Sequence, residues 1–277
     1  MPSNPHPSKA ERREAARAAA LAIKQKQEAA DRRAKIITAT ILGVVLAALL
    51  GVMIFLFVRN GANEAANTVE DVPLAEVATA PAGVTDDGGI PLGADGAVGG
   101  TATDGVPTVA VYVDYMCPYC GQFEIVNQAG LEEMITGGTA NVVVHPISLL
   151  DRVSQGTEFS TRAATASAWV ADRAPEQWQA FHQALFANQP VENTPGLSDE
   201  ELAQQAKDAG VPADVADAIA SGEARRTFGQ WVHSASRHAL DEAGVQGTPA
   251  VMIDGEPWTG DWTDPAALPQ AVAAASR

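Results

Sequence analysis

The chain has two cysteines, and they lie two residues apart in the stretch Asp114-Tyr115-Met116-Cys117-Pro118-Tyr119-Cys120. Nothing else in the sequence limits the fold as much. The apolar run Val109-Ala110-Val111-Tyr112-Val113 precedes it and reads as a strand. Phe123, Val126, Met134 and Ile135 follow it and extend a helix. A strand must therefore hand over to a helix at the cysteines. Residues three apart on a helix share a face, so the two sulfurs are close enough to close a small disulfide ring. Cys117 falls at the helix N-terminus, where unpaired N–H groups and the helix dipole favour a thiolate. The thiolate is the form that attacks disulfides. Pro118 suits the start of the helix because its missing N–H would have had no partner there.

Two cysteines cannot make the disulfide framework of a small secreted domain. A single Cys-x-x-Cys between a strand and a helix reads as a redox pair. An inert disulfide, half a zinc site and a copper-delivery site are the alternatives. Structural zinc takes four Cys or His ligands. The histidines here, His6, His145, His182, His233 and His238, show no ligand pair at a recognisable spacing. Copper, held by the thiolates and one histidine, stays open.

The formal charge of −16 conceals a division. Residues 1–35 carry nine Lys or Arg and four Asp or Glu, whereas residues 60–277 carry eight and thirty. The acidic part excludes a nucleic-acid role, which needs a basic face. Ser8 to Lys35 reads as an alanine-rich helix opened by the capping pair Ser8 and Glu11, with a face too thin for a core. It is a solvated or membrane-surface helix, or the site of a cytosolic partner.

Ile36 to Val58 is a run of 23 residues without a charge. As a helix it measures about 35 Å, enough to cross a bilayer. The run is longer than a secretory signal core, and its flank of 35 residues is long, which favours an uncleaved anchor. Arg32, Arg33 and Lys35 precede it and Arg59 follows it. The positive-inside rule then keeps the N-terminus in the cytoplasm and sends the C-terminal part outside. The expected organisation is a cytoplasmic segment 1–35, a transmembrane helix 36–58, a flexible tether 59–105 and a folded domain 106–277. The tether is rich in Gly, Ala, Asp, Thr and Pro, and as a coil it would span roughly 35–40 Å.

Within the domain, strand 108–113, the motif helix to about Ile135 and strand 141–145 favour a parallel pair joined by a right-handed crossover. A helical region follows, with Trp169, Trp178, Phe181 and Trp231 as its candidate core and a capping box at Ser198 and Glu201. Strands return at 250–254 and 257–258, and a last helix opens at Asp264-Pro265.

This order, with Cys117-Pro118-Tyr119-Cys120 after the first strand and Gly247-Thr248-Pro249 before the third, resembles the DsbA-like branch of the thioredoxin superfamily. The resemblance covers about residues 106–277. It implies an α/β thioredoxin fold with a helical domain inserted at about 157–243. It implies that Cys117 is the exposed nucleophile and Cys120 the buried partner that resolves the mixed disulfide. Pro118 and Tyr119 match the dipeptide that tunes the redox potential. Pro249 matches the cis-proline facing the cysteines, and Thr248 would offer backbone polar groups to an extended client segment. Two departures stand out. Tyr119 occupies a position where many DsbA-type oxidases have histidine, which removes one source of thiolate stabilisation. Threonine before the cis-proline also occurs in isomerase- and reductase-like relatives, so the direction of transfer stays open.

Asp114 has two readings: a proton relay for the cysteines, or an acceptor that ends the strand and serves the helix start. Glu124, seven residues past Cys117, reads as part of a solvated face. The function expected is a membrane-tethered, extracytoplasmic thiol-disulfide oxidoreductase that donates disulfides to cysteine-containing secreted or membrane proteins. It would touch the lipid bilayer and a membrane redox partner. No metal or organic cofactor is called for, because the disulfide carries the two electrons. A reductase or isomerase is the nearest alternative, and a non-catalytic peptide- or copper-binding module is the more distant one.

Overall fold

The structure is a computed structural model, and it describes residues 70–100 and 102–276. The expected N-terminal helix, the transmembrane run 36–58 and the first part of the tether lie outside the described residues. Among the described residues, no helix is long and apolar enough to cross a membrane.

The strand that leads to the cysteines is central. β1 (Ile90–Leu92), β2 (Thr108–Val113), β3 (Asn141–Pro146), β4 (Ala250–Ile253) and β5 (Glu256–Trp258) form one sheet in the order β1-β3-β2-β4-β5. β2 and β3 are parallel, and α1 (Pro118–Thr136) is the crossover between them. The other three pairings are antiparallel. Alternation along β2 sends its side chains to two different cores. Val109, Val111 and Val113 join the core that contains Phe123, Leu131 and Ile135 of α1. Tyr112 points the other way, to Ile147, Ala239, Val245 and Met252.

Between β3 and β4 lie α2 (Phe159–Arg173), α3 (Trp178–Ala187), α4 (Asp199–Asp208), α5 (Ala213–Ala220) and α6 (Glu223–Asp241). These helices are the insertion. Phe159, Trp169, Trp178, Phe181, Phe228 and Trp231 are among its large buried side chains, and each aromatic removes a large apolar area from water. The box at the start of α4 is complete: Ser198 Oγ accepts from Glu201 N, and Glu201 Oε2 accepts from Ser198 N. α7 (Ala267–Ala275) packs on α1, with Pro269 inside its first turn, where proline costs no helical bond.

One expectation needs correction. Residues 70–100 are not part of a flexible tether. β1 pairs with β3 through Ile90↔Val144 and Leu92↔Val142, and Ile90 is fully buried. Upstream, the carbonyls of Glu70 and Val72 accept from Gln230 and Ser234 of α6, and Asp71 meets His233. Without this strap the outer edge of β3 would be an unpaired strand edge. Turn-forming residues dominate the composition and mask a few anchors, namely Leu74, Val77, Val84, Ile90, Leu92 and Val98. Pro91 also argues against a strand by its type, and it is accommodated because β1 is an edge strand. A tight backbone crossing closes the segment: a Cβ on Gly100 would stand 2.1 Å from the Cα of Gly93.

Candidate active site

Cys117 is the N-cap of α1, in extended backbone, and Pro118 begins the helix. The amides of Cys120 and Gly121 donate to the Cys117 carbonyl at 3.0 and 3.3 Å, so the helix winds from the cysteine onward. Both cysteines are free thiols. The dipeptide between them faces outward, with Tyr119 59% exposed.

Thr248 lies beside the pair, and its peptide bond to Pro249 is cis. Its carbonyl accepts from Cys117 Sγ at 3.2 Å, although the two residues are 131 apart in sequence. The fold thus brings Cys117, Cys120 and Thr248 together.

The two sulfurs are electrostatically unlike. Cys117 is pulled down to about 6, first by the hydrogen bond from Cys120 and then by the side chain of Thr248 and the amides at the helix start, against the opposing effect of burial. Cys120 is pushed well above the ordinary thiol range, first by burial and then by the neighbouring Cys117 sulfur. One sulfur is thus set up to carry charge and the other to keep its proton.

Asp114 is fully buried behind the motif. Oδ1 accepts from Met116 N at 2.8 Å and Ser160 Oγ at 2.7 Å. Oδ2 accepts from Leu149 N at 2.8 Å and Leu150 N at 2.9 Å. Burial pushes its carboxyl upward, and these four donors oppose the rise. The carboxylate ties β2, the loop after β3 and α2 into one corner.

Several residues at the site escape local reading. Tyr115 is buried, and its hydroxyl donates to Ser167 Oγ and meets His182 Nδ1, both at 2.9 Å. His182 stacks on Trp178 and reaches Glu124 through Nε2 at 3.6 Å. Glu124 therefore faces the insertion rather than solvent. Gln189, just past α3, donates from Nε2 to the carbonyls of Tyr115 (3.0 Å) and Cys117 (2.8 Å). In the sequence Ser167, His182 and Gln189 have no spacing relation to the motif. The one local signal is Gly121, where any side chain would strike Gln189. Among the described residues, no three His, Cys, Asp or Glu side chains converge in a way that could hold a metal ion.

A family model described as Thioredoxin matches residues 96–270. The chain belongs to the thioredoxin family. Within it the solved structures point to one branch. DsbA from Mycobacterium tuberculosis in its oxidised form is 26% identical with a TM-score of 0.54, covering 68% of this chain and 92% of its own. The reduced disulfide bond oxidoreductase DsbG of the same organism is 27% identical with a TM-score of 0.55, covering 67% and 86%. MdbA, a thiol-disulfide oxidoreductase from Actinomyces oris, shares the fold at 22% identity and a TM-score of 0.57, covering 73% and 93%. The chain is a DsbA-like thioredoxin-superfamily protein. A curated relative, the serine/threonine-protein kinase PknE of Mycobacterium tuberculosis, is 30% identical over 148 residues. That match spans 52% of this chain and 26% of the kinase, so the chain covers about a quarter of the length of the curated relatives it matches.

Proposed function

We propose that this thioredoxin-family domain works outside the cytoplasm, tethered to the membrane by Ile36–Val58, as a disulfide donor to cysteine-containing secreted or membrane proteins. The contrast between the two sulfurs carries this reading. A client thiolate attacks Sγ of Cys117 in the oxidised pair. The Cys117–Cys120 bond breaks, its electron pair goes to Cys120, and Cys120 takes up a proton. A second client thiolate then attacks the client sulfur of the mixed disulfide. Cys117 leaves as a thiolate, which is the charged form that its surroundings favour. The client gains a disulfide, and the domain gains two electrons as a dithiol. A stabilised leaving thiolate makes the reduced form the lower state and drives donation.

The Thr248 carbonyl beside Cys117 supports the binding half of this reading, because it can accept an N–H from an extended client backbone. Reoxidation falls to a redox partner in the membrane. A reductase or isomerase is the second reading, and the observation that favours it is exposed Tyr119, which offers no cation to the thiolate. The reduction potential separates donation from reduction, and an isomerase shares the donor's range. A value of about −120 to −180 mV supports donation, whereas a value near about −270 mV assigns the domain to reduction of extracytoplasmic disulfides.

A further inference from the structure

Gln189 is fixed to the end of α3 by its own amide, which donates to the Phe186 carbonyl at 3.2 Å. Both hydrogen bonds from its side chain go to carbonyl oxygens, which only accept, so the amide has one possible orientation. Three donors therefore converge on the Cys117 carbonyl. The amides of Cys120 and Gly121 come with any helix start. The third, Gln189 Nε2, arrives from a segment 72 residues away and makes the shortest contact, 2.8 Å. That carbonyl belongs to the same residue as the reacting sulfur, and its partial negative charge opposes a thiolate. A donor placed on it offsets that opposition.

The other end of the amide is equally constrained. A Cβ at position 121 would stand 2.5 Å from Gln189 Oε1. Glycine in a helix costs roughly 1 kcal/mol against alanine, so the first turn of α1 gives up helix stability where the amide needs room. The same helix α3 meets the Tyr115 hydroxyl through His182, so it grips the loop by both side chain and backbone.

From this geometry we infer that Gln189 is a positioning residue for the exchange reaction, supplied by the helical insertion, which holds the Tyr115–Cys117 loop and favours the Cys117 thiolate. The inference rests on the thiol-disulfide function proposed above and deepens it. The insertion thereby sets the reactivity of the nucleophile as well as packing beside it.

The test uses the full chain and two readouts. One is the Cys117 pKa, followed by the ultraviolet absorbance of the thiolate. The other is the equilibrium in which the protein disulfide and two glutathione thiols give the protein dithiol and glutathione disulfide. Q189A should raise the Cys117 pKa and lower that equilibrium constant about threefold to tenfold, the scale of one hydrogen bond near a charge. G121A should shift both in the same direction by displacing the amide, although alanine is the better helix former. The double variant should be no worse than the larger single one, because both changes remove the same contact. If the wild-type chain exchanges with glutathione while Q189A alters only thermal stability, the inference is overturned and the function stands. A wild-type chain that does not exchange at Cys117 overturns the function, and the inference with it.

Discussion

The β2–α1 junction carries both sulfurs, whereas most of the side chains that hold it belong to the helical insertion. On the junction side the groups are close in sequence: Asp114, Cys117, Pro118 and Cys120 occupy one strand end and one helix turn. On the insertion side, Ser160, Ser167, His182 and Gln189 are spread over three segments and converge only in the folded chain. The junction supplies the reagents and the insertion supplies their orientation. A fold built this way can keep its chemistry constant while its reactivity is adjusted from a part of the chain that never touches the electrons.

The largest expected effect tests the junction alone. Cys117→Ser should abolish exchange, and Cys120→Ser should leave Cys117 able to form mixed disulfides that nothing inside the domain resolves. Non-reducing electrophoresis of cells expressing each variant reads the difference directly. Equal trapping by both variants would sink the assigned roles of the two sulfurs.

Asp114→Ala tests the tie between the halves. It strands the amides of Met116, Leu149 and Leu150 in a buried corner, and each unsatisfied group costs on the order of 1–3 kcal/mol. A loss of about 3 kcal/mol or more in denaturant stability is expected. If Asp114 instead relays protons, the variant should keep its stability and slow the exchange step at neutral pH.

An effect of similar size, confined to low pH, should come from the sheet itself, away from the insertion's grip on the motif. His145 is buried against Tyr112, and its Nε2 has no hydrogen-bond partner. Burial is the main reason that its pKa falls from 6.5 to about 4. The unfolded chain therefore binds this proton at a higher pH than the folded one. The stability contribution is fully present above about 6.5 and is lost as the pH falls toward about 4, on the order of 3 kcal/mol in all. Urea midpoints across that window should show the slope, and H145Q should flatten it. A slope unchanged in H145Q would place the effect elsewhere.

The same contrast explains what was legible in the sequence. The strand, the Cys-x-x-Cys, the crossover helix and the return at Thr248-Pro249 are local patterns, and each is written in neighbouring residues. The helical insertion is legible as well, because Trp178, Phe181, Leu185 and Phe186 recur at helical spacing and Ser198 marks a helix start. Gln189, His182, Ser160 and Ser167 were not legible. A polar side chain that bonds to a backbone carbonyl tens of residues away leaves no periodicity behind. Glu124 reads as solvated because charge on a helix usually is, and only the arrival of α3 turns that face inward. The strap at 70–100 was hidden for a different reason. Its anchors are single apolar residues separated by turns, and its one short strand contains a proline.

That strap also determines where the domain bears mechanical load. A pull applied through residue 70 meets first the bonds from Gln230, His233 and Ser234 on α6, and then the β1 ladder along the outer edge of β3. These contacts stand between the point of entry and the strand that leads to the cysteines. Tension would be taken up by the back of the insertion and the rim of the sheet before it reached the sulfur pair.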